Sequence, residues 1–170
     1  MIVENGTGLP NADSYVTVEF ADNYFSARGV SVWATLTNTV KEQLLIKGTD
    51  FIDNIYQWYG KKEFEHQALR FPRVDIRDYE GAEIKGIPSC LKQAVCDASL
   101  IANSGELFQT SDANGAVVSE KIGELAFTYA NGKKETVASS TLYDSINTKL
   151  RGLFIDNSRQ KIITGKVQRV

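Results

Sequence analysis

Apolar residues recur at three- and four-residue intervals in three stretches of the first hundred residues, and each stretch reads as an amphipathic helix. Val18, Ala21 and Phe25 mark the first, about 18 to 28, with Thr17 as N-cap, Glu19 and Asp22 in or near the first turn, and Gly29 as the stop. Val40, Leu44, Phe51, Ile52, Ile55 and Tyr59 mark a longer one, from about Thr39 to Trp58. Gly48 interrupts that stripe. A helical glycine costs about 1 kcal/mol relative to alanine, so its position predicts a second helix packed closely against it. Leu91, Val95, Ala98 and Ile101 or Ala102 mark the third helix, which opens with Pro88 at the first helical position and runs to Asn103-Ser104-Gly105.

Beyond Gly105 the period shortens to two. Val117 to Ile122 and Leu125 to Tyr129 read as strands, the second placing Leu125, Phe127 and Tyr129 on one face, and Asn131-Gly132 is a strong turn signal, so a β-hairpin or paired ribbon is expected. Ser140 or Thr141 can cap a short helix carrying Leu142, Ile146 and Leu150, and Lys161 to Val170 ends the chain as a strand interrupted by Gly165. Residues 60 to 86, with Pro72, Gly81, Gly86 and twelve charged side chains, read as a long structured loop, and residues 1 to 16 as an extended lead broken by Gly6, Gly8 and Pro10. The fold class is therefore mainly α, a small helical bundle with a β-hairpin and an extended C-terminal arm. It divides into a helical core with its lead at 1–104, and an arm of hairpin, short helix and strand at 105–170.

A chain of 170 residues with 42% hydrophobic content suffices for one domain with a real core. It contains no run of 18 apolar residues, and its first residues carry neither a basic nor an apolar leader segment, so neither membrane insertion nor secretion is expected. Cys90 and Cys96, six apart on one helix, stand about 120° apart around the axis and roughly 9 Å along it, which suits two reduced, buried thiols better than a disulfide. The net charge of −2 is unevenly spread: Arg151, Arg159, Lys161, Lys166 and Arg169 against Asp156 make the last twenty residues +4, leaving −6 on the first 150. This disfavours a globally basic nucleic-acid binder while providing a local basic arm, able to touch phosphate or an acidic surface or simply to be solvated.

Candidate chemistry is sparse. His66 is the single histidine, with no second histidine or clustered cysteines to complete a zinc site. Gly6-Thr7-Gly8 lacks the preceding strand and third glycine of a dinucleotide loop, and Asp75, Asp78, Glu80 and Glu83 lack the ligand spacing of a calcium loop. No G-x-S-x-G elbow exists, and no pair of carboxylates stands out, so the chain reads as no enzyme, with no metal or cofactor. One binding pattern remains. Tyr56, Trp58, Tyr59, Lys61, Lys62 and Phe64 interleave aromatics with cations, as stacking and phosphate neutralisation on single-stranded nucleic acid require. Against it, the aromatics end an amphipathic helix, where burial is the default, and Glu63 and Glu65 reduce the field. On that reading, replacing Trp58, or Lys61 and Lys62, abolishes binding.

Ala12-Asp13-Ser14-Tyr15-Val16-Thr17-Val18-Glu19, Tyr24-Phe25, Arg28-Gly29, Tyr59-Gly60-Lys61-Lys62 and above all Gln67-Ala68-Leu69-Arg70-Phe71-Pro72-Arg73 resemble the head-tail connector, or adaptor, proteins of tailed bacteriophages, often labelled DnaT-like single-stranded-DNA-binding proteins. Ile87-Pro88, Leu91 to Ala94, Ile122 to Leu125 and Thr128-Tyr129 extend the likeness over most of residues 1 to 130, with Phe71 standing where tryptophan is commoner. The resemblance implies a virion structural protein at the neck. It would form a homo-oligomeric ring, commonly of twelve copies, that binds the portal protein and the next neck or tail-completion protein and lets double-stranded DNA pass without sequence specificity. The label implies the alternative, a replication-associated single-stranded-DNA binder. Candidate assembly contacts are Leu125, Phe127 and Tyr129 on the hairpin, Arg159, Lys161, Lys166 and Arg169 on the basic arm, and Arg70 and Arg73. The two arginines are expected to anchor the irregular loop through bidentate contacts to carboxylates of the same or a neighbouring subunit.

Overall fold

The computed structural model describes residues 1–78, 80–105, 107, 119–122, 125–128 and 144–155. Its elements are α1 (Val18–Ser26), α2 (Ser31–Ala34), α3 (Asn38–Ile55), β1 (Lys61–Lys62), β2 (Arg73–Val74), α4 (Ser89–Ser104), β3 (Ser119–Ile122) and β4 (Leu125–Thr128), with further helical residues at 144–149. The fold is mainly helical, as its apolar periodicity predicts. Thr17 caps α1 by accepting from the Phe20 N–H at 3.1 Å, and Thr37 caps α3 through the Val40 N–H at 3.4 Å, so that α3 begins one residue before the expected start. Pro88 is the N-cap of α4, not its first helical residue.

The centre of the molecule is the contact of α3 with α4. A Cβ built on Gly48 would lie 2.5 Å from Ser99 Oγ and 2.8 Å from the Val95 carbonyl oxygen, so only glycine lets the helices approach this far. Leu45 and Ile52 from α3, Leu91, Val95 and Ala98 from α4, and Ala21 and Phe25 from α1 are buried around that contact, each large side chain contributing about 1.5–3 kcal/mol.

α3 stops at Ile55 rather than Trp58 because tertiary pairing overrides helix periodicity. Tyr56 turns extended, and residues 57–59 pair antiparallel with 153–155: the Tyr59 N–H donates to the Leu153 carbonyl at 3.0 Å and the Ile155 N–H to the Gln57 carbonyl at 2.7 Å. Residues 144–155, from the segment read as an arm, thus join the core, with Ile146 and Leu150 fully buried and Leu153 nearly so. Lys149 fastens them by pairing with Asp97 and donating to the Tyr24 hydroxyl at 2.8 Å.

The N-terminal lead is not extended either. It doubles back so that Val3 bridges Ser14, and the buried Glu4 carboxylate accepts the N–H groups of Gly6, Gly8 and Leu9 at 2.9, 3.0 and 2.7 Å. The glycines at 6 and 8 therefore wrap an internal anion. β3 and β4 pair antiparallel with Ile122 opposite Leu125; Asn131-Gly132, read as the turn signal, lies outside the described residues, as do Leu142 and the strand expected over 161–170. Cys90 and Cys96 are free thiols; burial raises both, Cys96 to about 12.

Candidate nucleic-acid interface

The loop from Gln67 to Arg73 is held from inside. The Tyr15 hydroxyl donates to both oxygens of Asp53, at 2.8 and 3.0 Å, and accepts the Phe71 N–H at 3.0 Å; the Arg70 N–H donates to Asp53 Oδ2 at 2.9 Å. Burial pushes the Asp53 carboxyl up to about 6, against the opposing bonds from Arg70 and Tyr15 and the positive charges of Arg70 and Lys62. Burial, and then the charge of Asp53, raises Tyr15. Phe71, fully buried, stands edge-on to Trp58 at 5.0 Å and to Tyr15 at 6.3 Å, and its bond to Pro72 is cis. Gln67 is also buried, donating to the Leu69 carbonyl at 2.8 Å and accepting from the Phe64 N–H at 3.0 Å. The two most distinctive segments of the sequence are thus halves of one internal lock.

The lock presents a small ribbon outward. β1 pairs β2 with Lys61 opposite Val74 and Lys62 opposite Arg73, so Lys62 and Arg73 share one face of the pair. A Cβ on Gly60, whose φ is +68°, would meet the Val74 carbonyl oxygen at 2.2 Å, so glycine is required for the strands to close. Arg73 is the hub: its Nε donates to the Tyr59 carbonyl at 2.7 Å, Nη2 to the Gly60 carbonyl at 2.7 Å and Nη1 to the Arg70 carbonyl at 3.1 Å. Around it Tyr59 is 46% exposed and Val74 39%, and Lys61 and Arg70 are exposed. Burial lowers the Arg73 guanidinium from its ordinary value, which leaves it a cation at neutral pH.

Within the chain, the Arg73 side chain and the Arg70 backbone hold the loop, and neither guanidinium makes a bidentate contact to a carboxylate among the described residues. The carbonyls of Tyr59, Gly60 and Arg70 lie just outside the two-residue ribbon, and the guanidinium fork of Arg73 satisfies all three. Asp53 is filled by the Tyr15 hydroxyl and the Arg70 backbone N–H, so the Arg70 guanidinium forms no ion pair among the described residues. Of the proposed stacking aromatics, Tyr56 and Trp58 are buried at 9% and 7%, packed on Phe154 and Phe71, and the Tyr56 hydroxyl donates to Asn147 at 2.5 Å. Tyr59 alone of that trio reaches solvent. Phe64 is half-buried with its ring over Gly8, His66 is exposed, and Lys62 donates to the Gln67 carbonyl at 3.0 Å. Leu125 and Phe127 lie on β4, Phe127 opposite Glu120; Tyr129, Arg159, Lys161, Lys166 and Arg169 lie outside the described residues.

Tyr15 and Asp53 went unnoticed as a pair in the sequence because 38 residues separate them; the signal available was an acid near the apolar end of α3. Among the described residues no group of three His, Cys, Asp or Glu side chains is placed to hold a metal ion, and no helix is long and apolar enough to cross a membrane.

The family model described as "Putative DnaT-like ssDNA binding protein" matches residues 1–170, and the chain belongs to that family. No curated protein and no solved structure matches it. The family match overturns the head-tail connector reading in favour of the alternative drawn from the same motifs. The physical reason for the error is visible in the lock. The motifs that carried the resemblance, Tyr15 with its neighbours and residues 67–73, face one another inside the molecule, so they report a shared fold and say nothing about a partner.

Proposed function

We propose that the chain binds single-stranded DNA through the ribbon face, as a binding protein rather than a catalyst. The observation that carries this reading is Tyr59, 46% exposed at the rim of the Arg73 hub with Lys61 and Arg70 exposed beside the same short ribbon. An exposed ring stacks on any base, contributing about 1–3 kcal/mol per base, and the cations neutralise neighbouring phosphates. The family description supports the same ligand. With −6 spread over the first 150 residues the positive field is local, so stacking supplies more of the affinity than charge does.

Fluorescence anisotropy with a labelled single-stranded oligonucleotide tests this. Phosphate contacts by Lys61 and Arg70 would give a slope of log affinity on log salt of roughly −1.4. Tyr59→Ala should weaken binding by about tenfold or more, and Arg70→Ala should flatten the salt slope. Because Trp58 is buried, its replacement reports on folding and is no test of stacking. Absence of binding at about 50 mM salt, or equal affinity in the Tyr59→Ala variant, would remove the reading.

A further inference from the structure

Between α1, α2 and the start of α3 lies an open cleft of about 420 Å³, lined among others by Asp22, Phe25, Ser31, Trp33, Ala34 and Lys41. That volume falls within the range of small-ligand sites and exceeds what one nucleobase needs. Its chemistry is unusual for a surface groove. Lys41 is 7% exposed, yet its ammonium donates to one acceptor among the described residues, Asp22 Oδ1 at 2.8 Å. An ammonium has three N–H donors, so two remain available to a group entering the cleft. Asp22 Oδ1 also accepts the Trp33 indole N–H at 2.8 Å, which crowds both donors onto one oxygen and leaves Oδ2 without a partner among the described residues. A buried cation with spare donors and a half-exposed carboxylate with a spare oxygen thus line the same cleft as the buried rings of Phe25 and Trp33, 4.6 Å apart.

The complement of that pair is a flat group carrying an acceptor next to a donor. Every nucleobase has one on its Watson–Crick edge: O6 and N1–H of guanine, N1 and N6–H of adenine, O4 and N3–H of thymine, N3 and N4–H of cytosine. In a duplex those atoms are already paired. We infer that the Asp22–Lys41 cleft receives the Watson–Crick edge of an unpaired nucleobase, Lys41 donating to the base's acceptor and Asp22 Oδ2 accepting its N–H. The inference rests on the single-stranded-DNA reading and deepens it. The ribbon supplies stacking and charge common to any strand, whereas the cleft supplies the preference for unpaired bases without selecting a sequence.

The Trp33 indole N–H, hydrogen-bonded to the same carboxylate, is a reporter built into the site. The chain has two tryptophans, so a nitrogen-labelled sample gives two indole signals, assigned with Trp33→Phe. Titration with a single-stranded oligonucleotide should move the Trp33 signal, and the same strand annealed to its complement, or an abasic strand of equal length, should not. Ala34 lines the cleft and is exposed, so Ala34→Phe should fill the cleft without disturbing the core, lowering affinity for the single strand by about tenfold and abolishing the Trp33 response. If the oligonucleotide binds but the Trp33 signal stays fixed, the cleft inference falls and the ribbon reading stands. If no oligonucleotide binds but millimolar deoxynucleosides move the Trp33 signal, the ribbon reading falls and the cleft remains a nucleobase site. If neither ligand moves it, both fall.

Discussion

Asp53 and Asp22 are two partly buried acids, each hydrogen-bonded to a buried aromatic side chain, and they have opposite consequences. At Asp53 the donors are spread over both oxygens, the Tyr15 hydroxyl reaching each and the Arg70 N–H taking Oδ2. At Asp22 the Trp33 indole and the Lys41 ammonium converge on Oδ1, the other oxygen has no partner among the described residues, and the residue lines the cleft. The first acid is saturated and builds structure. The second keeps acceptor capacity in reserve beside a cation with spare donors, which is what a binding site requires. Distribution of donors, more than burial or charge, separates the two roles.

The largest effect comes from breaking the first region at its apolar centre. Phe71→Ala would remove a fully buried ring from between Trp58 and Tyr15, at about 3–5 kcal/mol by urea denaturation. The Trp33–Asp22 hydrogen bond belongs to another corner of the core, so the Trp33 indole signal should keep its position in the folded fraction.

Tyr15→Phe tests the polar part of the same lock. It deletes the donor to Asp53 and strands the Phe71 N–H, for about 1–3 kcal/mol. A change below a few tenths of a kcal/mol would show that Asp53 and the loop hold each other without the hydroxyl.

The two acids also differ in what pH does to them. Asp53 lies at about 6 in the folded chain against 3.8 as the ordinary value, so the native state binds its proton more tightly than the unfolded state. This group's contribution to stability is therefore fully present below about 4 and is lost as pH rises through 6, on the order of 3 kcal/mol. Asp53→Asn should flatten that part of the stability profile. Persistence of the slope in the variant would assign it to another group.

Much of this architecture was legible in sequence where a single periodicity governs. α1, α3 and α4 follow their apolar stripes, and Gly48 signalled the close helix contact that Ser99 and Val95 make. Legibility failed where distant segments decide the local conformation. Residues 57–59 leave the helical pattern because residues 153–155 pair with them, and the glycines of the lead wrap Glu4 rather than extending the chain. α2 was missed because four residues give no period, although Trp33 anchors it. Of the ribbon, the aromatic and cationic composition was readable but not which ring reaches solvent: Tyr56, Trp58 and Tyr59 are near neighbours, and only the pairing with residues 153–155 turns the last one outward. Lys41 carried its own signal, a charged residue three and four positions before Leu44 and Leu45 on the buried face of α3.

That position makes Lys41→Met the sharpest and gentlest way to separate the two acids. A buried ion pair broken by removing one partner is costly when the survivor stays buried and unpaired. Here the survivor is the Asp22 side chain, 43% exposed, which water can rehydrate, while methionine occupies the lysine stem's place and removes a poorly satisfied buried cation. The stability change should stay within about 1 kcal/mol, well below that of Phe71→Ala, yet the response of Trp33 to single strands should vanish because the donor to the base acceptor is gone. A large loss of stability would mean that the Asp22–Lys41 pair is structural like the Asp53 lock, and that its two oxygens differ without consequence for binding.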